Sequence, residues 1–368
     1  MRIAFYAPMK PPTHPVPSGD RRMARAFMAL LGDLGHQIEL ASRFRSYDGA
    51  GDPPRQARLE QLGGRLVARL LQRWRGRPAP EVWFTYHLYH KAPDWLGPAV
   101  CDALRIPYVV AEASLAAKRA AGPWSAGYAA SAAAIARADL VLAMTTNDLP
   151  ALRGAVTPKR LTLFPPFLDA APFASEPHPA PGPVPTLLAV AMMRADAKRD
   201  SYRLLAAALA RLTDLPWRIV LVGDGEARAE VAAMFAPFGE RVVWRGAVPL
   251  EALPPIYAAA DLLVWPACNE AYGMAILEAQ AAGLPVIAGR DGGVPDIVAD
   301  GVTGVLTEPR SVSAFAAGVR ALLLDPERRR QMGRAARERV LARHDLPPAR
   351  ARLAAILAGL RTPVCASA

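Results

Sequence analysis

The most informative segment of the sequence is Trp265-Pro-Ala-Cys-Asn-Glu270-Ala-Tyr-Gly273-Met-Ala-Ile-Leu-Glu278-Ala-Gln-Ala-Ala-Gly283-Leu-Pro285-Val-Ile-Ala. An apolar run ends at Trp265, a short polar loop carries Glu270, and a segment of helical character follows Gly273. A second apolar run then begins at Pro285. This alternation predicts a parallel α/β sheet, with the loop at the carboxyl ends of its strands, where open sheets of this kind bind ligands.

The start of the predicted helix favours a diphosphate ligand. Its first amides, around Gly273 to Ala275, have no partner inside the helix and form a natural phosphate cradle. At about 1.5 Å of rise per residue, Glu270 and Glu278 lie on the order of 10 Å apart. That spacing exceeds the roughly 5 to 9 Å of a hydrolase acid/base pair and suits two hydroxyl-bearing groups, a sugar and a ribose, on either side of a diphosphate. The alternative is structural: Glu270 as a helix cap and Glu278 on a solvated face.

With Gly283-Leu-Pro285 and Gly292-Gly293 in register, these residues resemble the E-x7-E signature of retaining glycosyltransferases of the two-Rossmann-domain (GT-B) fold, the glycosyl transferase group 1 family. The resemblance covers essentially the whole chain and is strongest between 186 and 304. It implies that Glu270 contacts the donor sugar, that Glu278 contacts the ribose, and that the backbone at Tyr272, Gly273 and Met274 holds the diphosphate. It also implies transfer with retention of anomeric configuration, without a metal or another cofactor.

A basic cluster, Arg194-Ala-Asp-Ala-Lys198-Arg199, follows the first predicted strand of the second domain. Fixed cations stabilise the negative charge that builds on a departing nucleoside diphosphate. The resemblance places an Arg and a Lys here for that purpose. Arg194 matches the arginine of the family. For the lysine, Lys198 lies one residue earlier than expected, and Arg199 lies at the usual offset. Lys198 is the preferred catalytic cation because the segment after it leads into a helix in the family manner, and Arg199 is an alternative, donor-binding cation. A solvated basic loop is the structural alternative.

Three glycines in two loops are candidate donor-binding positions. Gly223 and Gly225 follow a predicted strand, and the resemblance places this loop beside the nucleotide base, although glycine in a turn often serves geometry alone. In the first domain, Ser18-Gly19 keeps one of the paired glycines that the family commonly has. Gly19 is therefore predicted at the donor phosphates and Ser18 on the acceptor side, with helix capping as the alternative for Ser18.

The acceptor side departs from the family pattern. Many relatives carry a histidine at about the position of Ala113, and this chain has none there. Glu112, His87 and His90 are the candidates to face the acceptor instead.

The remaining sequence indicates two domains of alternating strands and helices. A proline-rich segment interrupts this rhythm. The predicted boundaries are a Rossmann-like acceptor-side domain over 1–170, a linker over 171–185, a Rossmann-like nucleotide-sugar-binding domain over 186–345, and a C-terminal helix over 346–368 that packs back on the first domain. The predicted strands are 3–6, 37–41, 82–86, 108–111, 140–143, 160–164, 186–191, 218–223, 242–246, 262–265 and 285–288. The two domains are expected to face each other across a cleft. Between 327 and 360 the pattern is helical, with a break at 345–348.

Composition narrows the function classes. Hydrophobic residues make up 52% and charged residues 21% of 368 positions, a globular balance with room for two cores. Three separated cysteines exclude a disulfide framework and favour the cytoplasm. The apolar run before Pro8 is too short for a secretory signal. The sequence contains no uninterrupted apolar stretch of about twenty residues, so we expect no membrane-spanning helix. The net charge of +11 comes without a nucleic-acid-binding motif, so we expect no nucleic-acid partner.

The expected partners are a nucleotide-sugar donor and an acceptor that is a glycan, a lipid-linked glycan or a small molecule. The basic amphipathic stretch 65–75 allows peripheral membrane contact through the first domain, although a core-facing stripe explains its period equally well. Two rival functions fit the same fold: a nucleotide-sugar epimerase, or a non-catalytic sugar-nucleotide-binding protein. A hydride-transfer enzyme is disfavoured because neither domain starts with a dinucleotide fingerprint.

Overall fold

The computed structural model describes residues 1–16, 18–174 and 184–360, and these divide into two compact units. The first unit comprises Met1–Pro166 together with the chain from Ala349, and the second comprises Phe167–Pro348. Across the described residues, no helix combines the length and the apolar character that a membrane crossing needs.

The first unit is a six-stranded, all-parallel sheet in the order β2-β1-β3-β4-β5-β6. Its strands are β1 (Arg2–Tyr6), β2 (Gln37–Leu40), β3 (Val82–Leu88), β4 (Tyr108–Ala113), β5 (Leu140–Ala143) and β6 (Leu161–Leu163). Its helices are α1 (Gly19–Asp33), α2 (Pro53–Arg73), α3 (Gly97–Leu104), α4 (Ser125–Arg137) and α5 (Leu149–Arg153).

The core of the first unit explains the basic amphipathic stretch. Leu70 and Trp74 are buried in the core cluster, and Leu66 packs against it from the same helix face, while Arg65 and Arg69 are exposed. Packing inside the unit therefore accounts for the spacing of the apolar residues along α2. Membrane contact through this helix stays a prediction.

The second unit repeats the architecture, with strand order β12-β11-β10-β7-β8-β9 and every pair parallel. Its strands are β7 (Thr186–Val190), β8 (Arg218–Val222), β9 (Val242–Gly246), β10 (Leu262–Trp265), β11 (Val286–Gly289) and β12 (Gly304–Thr307). Its helices are α6 (Ala197–Leu209), α7 (Arg228–Phe235), α8 (Leu253–Ala258), α9 (Met274–Ala281), α10 (Val294–Ile297), α11 (Val312–Leu324) and α12 (Pro326–Arg343). A final helix, α13 (Leu346–Gly359), leads back into the first unit.

The chain changes units at different residues from those predicted. The first unit ends at Pro166 rather than 170, because Leu168 N donates to His344 O at 2.9 Å and Ala170 N to the Asp345 carboxylate at 3.0 Å, both in the second unit. Within the predicted linker 171–185, Ala171–Phe173 forms a 3-10 turn whose Phe173 ring lies 5.9 Å from that of Tyr257. Residues 175–183 lie outside the described residues.

The C-terminal helix differs from the prediction at its start. The predicted break at 345–348 is confined to 344–345, since Pro347 and Pro348 lie in the first turn of α13, where a missing N–H costs no hydrogen bond. Further along, Arg350 pairs with Asp33 of α1 at 2.9 Å, and the Arg352 guanidinium lies 5.6 Å from the Phe164 ring centre. Residues 361–368 are outside the described part of the chain.

Each sheet contains one place where the strand order reverses. In the first unit β1 has β2 on one side and β3 on the other; in the second, β7 lies between β8 and β10. In open parallel sheets, ligands bind in the crevice that opens outside the strand ends at such a switch point. The loops after β1 and β3, and those after β7 and β10, are therefore the places to look for a site.

Candidate functional site

A charged pair bridges the switch point of the second unit. Lys198, in the first turn of α6 after β7, donates its ammonium to the carboxylate of Glu270, in the loop after β10. The indole N–H of Trp265, the last residue of β10, donates to the same carboxylate oxygen at 3.2 Å, and the Lys198 ammonium lies 5.5 Å from that ring's centre. The side chains of Lys198 and Glu270 are 24% and 14% exposed, so a ligand can still reach them.

The loop that carries Glu270 is held by the neighbouring loop after β11. Asn269 N donates to the Asp291 carboxylate, and Gly293 N donates to Ala271 O, both at 2.7 Å. At Gly292, with φ of 54°, an added Cβ would lie 1.8 Å from Glu270 O. Only glycine therefore lets the two loops approach this closely.

Helix α9 begins beside Glu270. Gly273 precedes it with φ of 79°, a conformation that L side chains rarely adopt. Tyr272 is buried, and Met274 is partly exposed at the helix start. The first amides of this eight-residue helix thus lie next to the Lys198–Glu270 pair, as the sequence predicts for a phosphate cradle.

Glu278 lies deeper than Glu270. Its carboxylate is 2% exposed and accepts a hydrogen bond from the Tyr257 hydroxyl at 2.7 Å. The structural alternative of a solvated helix face is wrong for this residue, since burial of a carboxylate requires such partners. Its role at a ribose stays a prediction.

The three basic residues after β7 separate into different environments. Lys198 reaches Glu270, whereas Arg199 points to Glu230 on α7, with Nη1 and Oε2 3.4 Å apart. Arg194 contacts the Met192 sulfur at 3.5 Å and makes no ion pair with any residue in the described ranges. The geometry therefore selects Lys198 over Arg199 as the partner of the glutamate, and it leaves Arg194 available to an anion.

The two glycines after β8 allow their loop to pack closely against the loop after β7. An added Cβ at Gly223 would lie 1.8 Å from Ala191 O, and one at Gly225 would lie 2.3 Å from Met193 O. Met193 N also donates to Asp224 O at 2.9 Å. Close packing of this loop against the loop after β7 accounts for both glycines, and a contact with the nucleotide base stays a prediction.

A second charged pair bridges the switch point of the first unit. Ser18 caps α1, its hydroxyl accepting from Arg21 N at 3.2 Å, and Gly19 and Asp20 follow in the first turn. The Asp20 carboxylate lies 3.0 Å from Nδ1 of His87, in β3. Unlike Gly223, Gly225 and Gly292, Gly19 would admit a Cβ without any neighbour within 4 Å.

Glu112, in β4, completes this cluster with its carboxylate 3.7 Å from His87 Nδ1. Both His87 and Glu112 have positive φ, 62° and 56°, an uncommon and strained conformation for such residues. Burial lowers the pKa of His87, but the carboxylates of Glu112 and Asp20 outweigh it and raise that pKa to about 9. Burial raises the pKa of Glu112, whereas the hydrogen bond from His87 outweighs burial and lowers that of Asp20.

His90 differs from His87 although the two are close in sequence. Burial and the cations Arg119, Lys91 and Lys118 lower its pKa to about 4, so the ring is neutral at physiological pH. It lies in ring contact with Tyr89 at 5.2 Å and with Trp124 at 5.9 Å. Tyr89 in turn contacts His87 at 5.0 Å, so an aromatic row connects the two histidines.

Sequence reasoning missed three residues that the structure places in these sites: Asp20, Trp265 and Asp291. Asp20 lies in the first turn of α1, Trp265 is the last residue of β10, and Asp291 lies in the loop between β11 and α10. An aromatic residue with an N–H donor at the carboxyl end of a strand, such as Trp265, is the one signal in the sequence that could have found such a residue. Across residues 1–16, 18–174 and 184–360, no group of three or more His, Cys, Asp or Glu side chains is arranged to hold a metal ion.

Two parallel α/β units, each with a charged pair at its switch point, define a protein of the doubly wound α/β class. Residues 176–339 match the family model described as Glycosyl transferases group 1. The predicted resemblance to this family is therefore confirmed over these residues.

The most similar proteins agree with this assignment. Over 141 residues the chain is 37% identical to the sulfoquinovosyl transferase SQD2 of Arabidopsis thaliana, covering 38% of this chain and 27% of that protein. Over 152 residues it is 37% identical to the GDP-mannose-dependent alpha-(1-6)-phosphatidylinositol monomannoside mannosyltransferase of Mycolicibacterium smegmatis, covering 39% and 40%. The matches thus span well under half of these relatives' length.

The fold matches over nearly the whole chain. The sucrose-phosphate synthase of Thermosynechococcus elongatus superposes with a TM-score of 0.76 over 98% of each chain, at 22% identity. The predicted fold class, two Rossmann-like α/β domains of the GT-B type, is confirmed.

Proposed function

We propose that the protein transfers a sugar from a nucleoside-diphosphate donor to an acceptor hydroxyl, with retention of anomeric configuration and without a metal ion. The observation that carries the proposal is the Lys198–Glu270 pair at the second switch point, beside the start of α9. It joins a cation for the diphosphate and a carboxylate for the sugar in one place, inside the glycosyl transferases group 1 domain.

In this proposal the donor's negative charge is held by protein groups alone. The amides at the start of α9 and the guanidinium of Arg194 bind the diphosphate, and Lys198 neutralises the oxygen that leaves the sugar. Glu270 orients Lys198 before the donor arrives and accepts hydrogen bonds from the sugar hydroxyls. Glu278 serves the ribose, and its bond to Tyr257 fixes the carboxylate in advance.

The first unit supplies the acceptor groups in this proposal. His87 is protonated at neutral pH and stands between Asp20 and Glu112. Two carboxylates have more oxygen lone pairs than one imidazolium can use. The remaining lone pairs can accept hydrogen bonds from the hydroxyl groups of an incoming molecule. This arrangement takes the place of the family histidine that the chain lacks at Ala113.

The first experiment is a panel of UDP-, GDP- and ADP-sugars incubated with the protein. Slow release of free sugar from one donor is the expected result, because a transferase without acceptor passes the sugar to water. Isomerised sugar would identify an epimerase, and binding without turnover would identify a sensor. Unchanged turnover in EDTA and a product with the donor's anomeric configuration, measured by proton NMR, are the expected signs of a metal-free retaining reaction.

The second experiment replaces Glu270. Glu270→Gln keeps the size of the side chain and removes the charge that holds Lys198, so we expect turnover to fall by at least about 100-fold. Glu240→Gln is the matched control, an exposed glutamate in the same unit. Equal melting temperatures with full turnover in Glu270→Gln would refute the role of Glu270.

A further inference from the structure

We propose that Lys91, Lys118 and Arg119 bind a phosphate group carried by the acceptor, at a subsite of the first unit built around Trp124. The inference rests on the proposed function, since it concerns that function's acceptor.

The three cations converge on one aromatic residue. The Arg119 guanidinium lies 4.7 Å, and the Lys91 ammonium 5.0 Å, from the Trp124 ring centre. The two charges are therefore within about 10 Å of each other, close to the Debye length at physiological salt, where like charges still repel. Lys118 is the neighbour of Arg119 in the same 3-10 turn, Ala117–Arg119, and is exposed.

No carboxylate neutralises this cluster. Lys91, Lys118 and Arg119 form no ion pair within the described residues. The neighbouring acid, Asp48, uses its carboxylate to accept from Ala50 N at 3.1 Å, Asp52 N at 2.8 Å and Gln56 Nε2 at 2.9 Å. An unneutralised group of three cations is costly unless an anion joins it.

Two buried nitrogen atoms in the cluster have no hydrogen-bond partner. They are Arg119 Nε, a donor, and His90 Nε2, which donates in one of the two tautomers of the neutral ring; buried polar atoms of this kind ordinarily find a partner. The ring of His90 contacts that of Trp124, so both unsatisfied atoms belong to the same small region. A phosphate has enough oxygen acceptors to satisfy such donors together with the ammonium groups.

The subsite is rigidly built. Trp124 Nε1 donates to Asp48 O at 3.1 Å, and the buried Gln56 amide donates to Pro123 O at 2.8 Å while accepting from Gly127 N at 3.2 Å. An added Cβ at Gly127 would lie 2.1 Å from His90 O, so helix α4 is pressed against the segment after β3. Side chains fixed in this way lose little further entropy when they bind a ligand.

The location connects the subsite with the proposed acceptor groups. His90 and Lys91 follow β3, and Lys118 and Arg119 follow β4, at the ligand-binding edge of the sheet. The aromatic row His87, Tyr89, His90 and Trp124 spans the distance between the Asp20–His87 pair and the cations. An acceptor long enough to follow this row can therefore present a hydroxyl at the first place and a phosphate at the second.

The test uses the indole cross-peaks of Trp124 and Trp265 in a proton–nitrogen NMR spectrum, assigned by substituting each tryptophan with phenylalanine. Inorganic phosphate is titrated at constant ionic strength and pH 7. The Trp124 peak is expected to shift saturably. In Lys91→Gln/Arg119→Gln the dissociation constant should rise by about tenfold or more, because charge-assisted hydrogen bonds are lost.

The matched control is Arg65→Gln/Arg69→Gln, which removes two exposed charges from α2 of the same unit and should leave the titration unchanged. Lys118→Gln is a second, milder variant at an exposed position and should weaken binding in the same direction. No saturable shift of Trp124, or equal weakening in the α2 control, would overturn the proposal.

Two further arms identify the source of the phosphate. Glycerol 3-phosphate tests a small soluble acceptor, and vesicles of phosphatidylcholine with phosphatidic acid, against phosphatidylcholine alone, test a lipid headgroup. A response to either that depends on Lys91 and Arg119 supports the subsite. UDP, GDP and ADP should shift the Trp265 peak instead. If they do not while the Trp124 response persists, the transferase proposal fails separately from the phosphate subsite.

Discussion

Each switch point carries a charged pair, but the positions of the cation and the anion are exchanged between the two units. In the second unit the cation, Lys198, lies on the helix after the first strand, and the anion, Glu270, lies on the loop across from it. In the first unit the anion, Asp20, lies on the helix after the first strand, and the cation, His87, lies across. The same architecture thus presents two chemically different ligand edges.

The difference follows from what surrounds each pair. Arg194 and the start of α9 add positive character beside Lys198–Glu270, which suits a diphosphate. Glu112 adds a second carboxylate beside Asp20–His87, which suits hydroxyl groups. Fold alone therefore does not distinguish the two sites, and the proposed assignment of ligands rests on the charge added at each switch point.

The largest effect is expected from breaking the pair of the second unit. Lys198→Gln should lower turnover of the donor by about 100- to 1,000-fold, the usual cost of removing one preorganised charge from a leaving group. Steady-state kinetics with the donor found in the panel measures this. Lys198→Arg should recover part of the loss.

Arg199→Gln is the matched control, because it removes a neighbouring charge that points to Glu230 instead. Turnover within about threefold of the wild type is expected, as for other half-exposed ion pairs. A larger loss of turnover in Arg199→Gln than in Lys198→Gln would identify Arg199 as the functional cation instead of Lys198. The contrast between the charged pairs of the two units would then no longer hold.

An intermediate effect is expected from the pair of the first unit. His87 has a pKa of about 9 in the folded protein against about 6.5 in the unfolded chain. The stabilisation is therefore fully present below about pH 6.5 and is lost as the pH rises through about 9; a difference of about 2.5 pKa units corresponds to about 3 kcal/mol. Asp20→Asn should lower the His87 pKa, measured by NMR titration of the imidazole proton.

His87→Gln and His90→Gln form the matched comparison for stability. Urea unfolding between pH 6 and 10 should show the free energy of unfolding of wild type and His90→Gln falling with pH, and that of His87→Gln changing much less. The comparison is read above about pH 7.5, where His90 contributes almost nothing because its ring is neutral both in the folded protein, where its pKa is about 4, and in the unfolded chain. The same pH dependence in all three proteins would show that His87 is not held charged by its neighbours.

Much of the fold was predictable because the central strands are short apolar runs. The predicted ends of β5, β9 and β10 agree with the structure, and most other strands differ by one or two residues. Strand β12, Gly304–Thr307, was not predicted, since four residues that start with glycine give no clear alternation. Helix α6 begins at Ala197 because Asp196 caps it, its side chain accepting from Lys198 N.

The site was predictable only where a motif defines it. The E-x7-E spacing identifies Glu270, but the choice between Lys198 and Arg199 depends on the phase of α6 after its cap. The charge on His87 depends on positive φ angles at His87 and Glu112, which bring two strand-end side chains together and which a sequence without an alignment does not reveal.

The smallest effect on turnover is expected from a glycine substitution. Gly19 of the first unit is the position to test, because it differs from the loop glycines of the second unit in the space around it. Gly223 and Gly292 are required by the chain itself, because a Cβ there would collide with backbone, whereas a Cβ at Gly19 would meet nothing. Gly19→Ala should therefore raise the free energy of unfolding by about 0.5 to 1 kcal/mol, as should Gly64→Ala in α2, the matched control. Only Gly19→Ala should also raise the KM for the donor, by about fivefold, the equivalent of about 1 kcal/mol of crowding against a bound phosphate. An unchanged KM would mean that Gly19 serves only to start α1, and that the donor is held without this loop.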